Sequence, residues 1–252
     1  MPLQRLRYLW RAYHYRRRVN RQELEFLSGR LQPGETAIDI GAHKGGFLYW
    51  LRHYAGAAGR VYAFEPQPPL AQYLKEIVAM QGWENVVVEP AGLSSSNGTM
   101  ELFVPAPAGE PSPGATLSPV DPSAPHHGVS VPVVTLDDYL ARHGSPRVAF
   151  IKCDCEGHEM EVFRGAERML RQDHPVLLFE CEQRHLPKSS PAVVFDYLRG
   201  LGYAGWFFGA TGLAPVSEFR TEVHQPVRPG RYWDAKDYYN NFAFLPEGSS
   251  MK

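Results

Sequence analysis

The sequence predicts an open α/β domain, a mostly parallel sheet with helices on both faces, and three observations carry that expectation. From Leu31 onward, apolar runs of strand length alternate with segments of helical periodicity. The first apolar run ends in a glycine-rich turn that leads straight into a helix. At 252 residues and 44% hydrophobic content, the chain can bury one sizeable core, so a single main domain over 31–252 is expected.

The elements follow in order. "TAIDIGA" (36–42) reads as a strand and "GGFLYWLRHYA" (45–55) as its helix. "VYAFEP" (61–66) is a second strand stopped by Pro66, "PLAQYLKEIVAM" (69–80) a helix, and "NVVVEP" (85–90) a third strand. The alternation then breaks. Asn97-Gly98 lies between two extended stretches, which predicts a β-hairpin inserted after the third strand. Seven prolines fall between Pro105 and Gly128, a composition that admits neither a central strand nor a long helix. That stretch reads either as a plain surface loop or as a lid over a binding site. "VSVPVVTLDDYLARH" (129–143) resumes as a strand running into a helix. "VAFIKCD" (148–154) is the fourth parallel strand, "HEMEVFRGAERMLRQ" (158–172) its helix and "PVLLFECE" (175–182) the fifth strand. A helix over 191–200, "AGWFF" (204–208) and "NFAFLP" (241–246) complete the sheet.

Residues 1–30 form a separate, basic helical extension. Seven arginines lie between Arg5 and Arg21, and no acidic residue precedes Glu23. Leu3, Leu6, Trp10 and Tyr13 recur among them at helical spacing. The segment reads as a helix docked on the domain with a solvated arginine face, or as an arm that makes peripheral contact with an anionic membrane. The formal net charge of −1 gives no whole-protein attraction to nucleic acid. No apolar run has the length of a bilayer span and nothing resembles a secretory leader, so a cytoplasmic location is expected. Three cysteines, Cys153, Cys155 and Cys181, cannot form a disulfide framework. Their C-x-C spacing is unusual for zinc and wrong for a redox pair, so they read as packing residues and no metal is expected.

Ligands of open α/β sheets bind outside the carboxyl ends of the strands. After the first strand comes Asp39-Ile40-Gly41-Ala42-His43-Lys44-Gly45-Gly46, whose glycines let backbone approach a ligand at a helix N-terminus. Glu65 ends the second strand, where an acid grips ribose hydroxyls. Together they indicate an adenosine-type cofactor. His43 stands where a pyrophosphate-binding loop needs its second glycine, which argues against a nicotinamide. A Tyr232/Lys236 pair has the spacing of a short-chain dehydrogenase but lacks its helical setting.

The motifs "AIDIGAHKGGF", "YAFEPQP", "VVTLDDYL" and "FIKCDCEGHEMEVFRGA", in this order, resemble the FkbM-type S-adenosylmethionine-dependent methyltransferases. The fourth motif is the most specific: the family pattern is close to I-K-x-D-x-E-G-x-E, and Ile151, Lys152, Asp154, Glu156, Gly157 and Glu159 match it. His43 departs from the family, which often carries Asn there. The resemblance implies a class I methyltransferase (Rossmann-like) sheet of seven strands, the last antiparallel. It also implies S-adenosyl-L-methionine as cofactor and O-methylation of a hydroxyl on a carbohydrate, glycolipid or polyketide-type small molecule. A nucleotide-sugar or NAD-dependent enzyme and a catalytically silent cofactor-binding module are the alternatives.

The cofactor-binding residues expected on this basis are Asp39, Gly41, Ala42, His43, Gly45, Phe47, Glu65, Pro66, Gln67, Gly92, Leu93, Asp154 and Glu156. Cys153 and Cys155 point to one face of their strand and Asp154 to the other, beside the methyl group. An alcohol is a poor nucleophile and is helped by a base, for which Asp154, His158, Glu180 and His185 are the candidates. His158 reads equally as a solvent-facing residue at a helix start, and His185 as a loop residue. Glu180, in an apolar strand, needs a partner or a task, and Lys152 on the adjacent strand is the partner in a purely structural reading.

Overall fold

The computed structural model describes residues 3–118 and 125–249. Two helices come first, α1 (Leu3–His14) and α2 (Arg21–Ser28), joined by a π-helical turn over Tyr15–Val19. The first half of the sheet is built from β1 (Thr36–Ile40), α3 (Gly46–Ala55), β2 (Arg60–Phe64), α4 (Pro68–Gln81) and β3 (Val86–Glu89). Three strands of an insertion follow: β4 (Gly92–Leu93), β5 (Gly98–Val104) and β6 (His127–Val134). Then come α5 (Leu136–Arg142), β7 (Val148–Cys153), α6 (Glu159–Arg164), α7 (Glu167–Asp173), β8 (Val176–Glu180) and α8 (Pro191–Gly200). The chain closes with β9 (Tyr203–Gly209), β10 (Gly212–Pro215), α9 (Thr221–His224) and β11 (Asn241–Pro246).

The main sheet has the order β10-β9-β11-β8-β7-β1-β2-β3. β1 pairs in parallel with β2 on one side and β7 on the other, so strand order reverses at β1 and a ligand crevice opens above it. β11 runs antiparallel between β8 and β9, as expected for the last strand. The sheet has eight strands where seven were expected. The extra one, β10, folds back on β9 as an antiparallel edge. Its four residues begin with Gly212 and end with Pro215, and proline is tolerated only at such an edge.

Successive residues of each buried strand serve opposite helix layers, as the pleat requires. Ile38, Ile40, Tyr62, Phe64, Ile151, Cys153 and Phe179 pack on one side with Leu140 of α5, Phe163 of α6 and Phe195 of α8. Ala37, Val61, Ala63, Phe150 and Leu178 face the other side with Leu24 of α2, Trp50 of α3 and Leu74 of α4. Because both faces are covered, the parallel strands read as continuous apolar runs.

Two local expectations change. The stretches flanking Asn97-Gly98 do not pair with each other, because β6 lies between β4 and β5, parallel to the first and antiparallel to the second. The antiparallel insertion is instead closed by the long proline-rich connection. Asn97 anchors the next helix: its side-chain carbonyl accepts the Thr135 N–H at 2.9 Å and its amide donates to Asp138 Oδ2 at 2.6 Å. The single helix expected over 158–172 is two, α6 and α7, broken where Gly165 packs on the Ser94 backbone and its carbonyl accepts the Asp137 N–H.

Candidate functional site

The carboxyl ends of β1, β2, β7 and β8 open into one cavity of about 260 Å³, room for a nucleoside-sized ligand. Asp39, Gly41, Ala42, His43 and Phe47 contribute from β1 and the loop into α3, Glu65, Pro66 and Gln67 from the end of β2, and Gly92 and Leu93 from β4. Lys152, Asp154, Glu156 and His158 come from β7 and the turn after it, and Glu180 from β8. Of the residues expected from sequence, only Gly45 and His185 do not line the wall. Gly45 is turned against Tyr8 and Leu74 at the start of α3.

Gly41 shows why the loop needs glycine. Its φ is +75°, and a Cβ there would run into the Asp154 carbonyl oxygen. That close approach joins the ends of β1 and β7, with the Asp154 N–H donating to the Ile40 carbonyl at 3.0 Å. Beside it, the Asp39 carboxyl is fully buried; Oδ2 has no hydrogen-bond partner, and burial pushes the group up to about 7. His43 also sits at positive φ (+48°), with Nε2 buried and unpartnered, and burial lowers its imidazole to about 4. Glu65 accepts two backbone amides, His43 N–H at 2.7 Å and Gln67 N–H at 2.9 Å, yet burial raises it to about 7.

At the floor, Lys152 Nζ lies 3.4 Å from Asp154 Oδ2. Burial opposes the ammonium charge, but the surrounding acids together, Asp154 first and Glu180 next, hold the Lys152 pKa above its usual value. At contact distance the structural Lys152–Glu180 pair read from sequence is replaced by Lys152–Asp154. Register explains it: Lys152 stands opposite Leu178, two residues short of Glu180. Glu180 bonds to the Asn240 amide at 2.9 Å and to the Glu182 carboxyl, and burial with the nearby Asp154 charge pushes its pKa well above the usual carboxylate range. Glu182 takes the opposite course. Bonds from Arg184 and Glu180 overcome its burial and lower it to about 2.

His158 is buried, not solvent-facing. Its Nε2 lies 3.0 Å from Ser94 Oγ and its Nδ1 2.7 Å from Ser118 Oγ, so neither nitrogen is free to act as a base. His185 stands behind the wall with Nδ1 3.0 Å from Glu156 Oε2. Burial lowers His185 to about 4 and raises Glu156, at φ +51°, to about 9. The cysteine thiols are free; Cys153 and Cys155 sit side by side at 3.7 Å, both raised, in accord with packing on one face.

Two further stretches complete the site, one read from sequence as either a plain loop or a lid and one not placed there at all. The proline-rich connection supplies Pro113, Ala115 and Leu117 as a roof. It is tied down by a reciprocal pair, Gln67 Nε2–H to the Ser112 carbonyl (3.0 Å) and Ser112 N–H to Gln67 Oε1 (2.9 Å), and by Thr116 Oγ donating to the Glu156 carbonyl (2.8 Å). Residues 119–124 of the stretch lie outside the described residues. The N-terminal extension supplies Tyr15, Val19 and Asn20 from its π-helical turn, a geometry frequent at functional sites. Tyr15 lies over Gly46, where even a methyl group would come within 2.7 Å of its ring. The composition of the roof was a legible signal; for Tyr15 there was none.

Comparison with known proteins gives the geometry a context. The model described as Methyltransferase FkbM domain matches residues 39–204, more than half of the chain. The structure of Methyltransferase FkbM from Methylobacillus flagellatus KT aligns over 97% of this chain and 56% of that one, with a TM-score of 0.54 at 15% identity. A putative rRNA-methylase from Clostridium thermocellum aligns over 91% and 96%, with a TM-score of 0.52 at 8% identity. These two likenesses are of fold. A Protein-L-isoaspartate O-methyltransferase of Aeropyrum pernix is 34% identical over 113 residues, 42% of this chain and 41% of that protein, so the match spans less than half of either.

Proposed function

The chain belongs to the FkbM methyltransferase family, with S-adenosylmethionine as methyl donor, and we propose that the methyl goes to a hydroxyl oxygen of a carbohydrate, glycolipid or polyketide-type acceptor. Family membership removes the nucleotide-sugar and nicotinamide alternatives. The residues present fit the donor. Two buried polar atoms without partners, Asp39 Oδ2 and His43 Nε2, stand in the wall where an ammonium and a carboxylate would satisfy them. Glu65 would hold the ribose hydroxyls, and Gly92 and Leu93, under the apolar roof of Leu102 and Leu117, the base. Bound there, the donor supplies an electrophilic methyl on a sulfonium.

The remaining work falls to the protein: aligning the acceptor, excluding water and removing one proton. Asp154 is the acid best placed for the proton. Its side chain is 36% exposed, it lines the cavity and it is ion-paired with Lys152, whereas Glu180 is engaged by the Asn240 amide and the Glu182 carboxyl. Asp154 Oδ accepts the hydroxyl proton as the oxygen attacks, and Lys152 keeps the carboxyl oriented. Tyr15 and the roof shield the reacting atoms from solvent.

The observation that carries the hydroxyl reading is the Asp154 carboxyl at the cavity floor. Asp154 is part-exposed in a wall whose lysines are Lys44 and Lys152, the second ion-paired with it, so a proton acceptor is at hand for a hydroxyl. The test is transfer from methyl-labelled S-adenosylmethionine to a panel of oligosaccharides, glycolipids and polyketides. Label in an alkali-stable methyl ether is expected; label released by mild alkali, as from a methyl ester, would overturn the hydroxyl assignment.

A further inference from the structure

Helix α1 is docked the wrong way round for a helix whose apolar stripe serves the core. Its buried residues are Tyr8 and Ala12, both 0% exposed, and the Trp50 Nε1–H donates to the Ala12 carbonyl at 2.9 Å. Arg11 holds the same face, donating to the Tyr73 hydroxyl at 3.1 Å and the Lys44 carbonyl at 3.4 Å. The regular stripe is turned outward: Leu3 is 62% exposed, Leu6 49%, Trp10 68% and Tyr13 46%, the last with one edge of its ring against Trp50 at 5.3 Å. Their spacing of three, four and three residues puts all four side chains on one ridge. Val19, 55% exposed, extends it past the π-helical turn.

Charge surrounds this ridge with one sign. Arg7, Arg16, Arg17 and Arg18 are exposed, and the sequence has no acidic residue before Glu23. An apolar ridge carrying tryptophan, flanked by arginines and free of acids, has the make-up of a helix that lies in the interface of an anionic bilayer. A second copy of the chain fits poorly, because pairing the ridge with itself would bring two sets of arginines together. Among the described residues no helix is long and apolar enough to cross a membrane, so contact would be peripheral.

We propose that the outward ridge of α1, Leu3, Leu6, Trp10 and Tyr13 with Arg7, Arg17 and Arg18, docks the protein on an anionic lipid surface. The same arm runs on into Tyr15, Val19 and Asn20, which line the cavity, so docking sets the cavity beside the lipid. The assignment stands apart from the methyl-transfer reading, since it concerns residues outside the cavity and is tested without an acceptor.

The experiment is sedimentation of the full chain with vesicles of phosphatidylcholine alone or with 30% phosphatidylglycerol, about one lipid in three. Binding to the anionic vesicles is expected, weakened at least tenfold by raising salt several-fold and absent on neutral vesicles. Leu6→Ser with Trp10→Ser should cut binding at least tenfold, and Arg17→Gln with Arg18→Gln several-fold. Both pairs should leave the melting temperature and S-adenosylhomocysteine affinity unchanged, because these side chains point away from core and cavity. Failure of the native chain to bind anionic vesicles overturns the proposal, as does binding that ignores both double variants. A concentration-dependent dimer abolished by Leu6→Ser with Trp10→Ser would assign the ridge to a second copy and overturn it equally.

Discussion

Glu65 Oε2 accepts the backbone N–H of His43 at 2.7 Å, which ties the end of β2 to the loop after β1 across the mouth of the cavity. Oε1 accepts the Gln67 N–H. Each carboxylate oxygen has two lone-pair sites, so each keeps one for a ribose hydroxyl. Glu65→Ala removes those acceptors and leaves two backbone donors unpaired. Calorimetry should show S-adenosylhomocysteine bound more weakly by about 1–3 kcal/mol; unchanged affinity would remove the ribose role.

Stability should depend on pH with a definite sign. Burial raises Asp39, Glu65 and Glu159 to about 7 and Glu156 to about 9. In the unfolded chain these acids ionise near 4, so between there and their folded values the native state holds the extra protons. Their contribution is fully present below about pH 4 and is lost as pH rises through 7 and then 9. Glu182, lowered to about 2, works in the opposite sense only in acid, and His43 and His185, lowered to about 4, oppose the trend up to about pH 6.5. The ligand-free protein should therefore melt at progressively lower temperature from about pH 6.5 to pH 9. A melting temperature that climbs over this range would contradict the burial of these carboxyls.

The roof should matter for the donor as well as for turnover. Read from sequence, a lid would gate the acceptor and leave cofactor affinity alone. The structure puts Pro113, Ala115 and Leu117 in the same wall as Glu65 and Gly92. Gln67→Ala unpairs both the N–H and the carbonyl of buried Ser112. It should weaken S-adenosylhomocysteine binding by about 1–3 kcal/mol. Exchange of Pro105–Gly128 for a short Gly/Ser linker should weaken it further, and intact affinity in that variant would restore the lid reading.

For the proton, three substitutions separate the candidates. Asp154→Asn should lower turnover by about 10²–10⁴ with the protein still folded. Glu180→Gln preserves size and the hydrogen bonds to Asn240 and Glu182 and should cost far less. His185→Ala acts only through Glu156, so its effect should also be small. If Glu180→Gln proves as damaging as Asp154→Asn, the base lies on β8.

Most of the sheet was legible because a strand buried on both faces is a continuous apolar run with a stop at its end, and "TAIDIGA" and "PVLLFECE" are such runs. The acids of the site were legible for the same reason, since Asp39, Glu65, Asp154 and Glu180 stand where those runs end. Pairings between distant segments were not. Nothing local in Gly92–Leu93 says that its partner is β6, about 40 residues later. Tyr15 reaches the cavity only because Tyr8 and Ala12 dock α1, and the stripe that suggested docking turned out to face away. His158 looked exposed because its two serine partners lie 64 and 40 residues from it.

The contributors to the cavity run from Tyr15 near one end of the chain, through Leu117 in the middle, to Asn240, which holds Glu180, near the other. A ribosome would release the arm before the sheet and β11 after β8 and β9. Until residue 246 has emerged, β8 lacks a neighbour and Glu180 lacks the Asn240 amide. Nascent chains that end before β11 should therefore capture no donor, however much of the α/β sheet they have formed. Ligand capture by arrested chains of increasing length would appear abruptly once β11 has emerged, which makes donor binding a report that arm, roof and sheet have closed together.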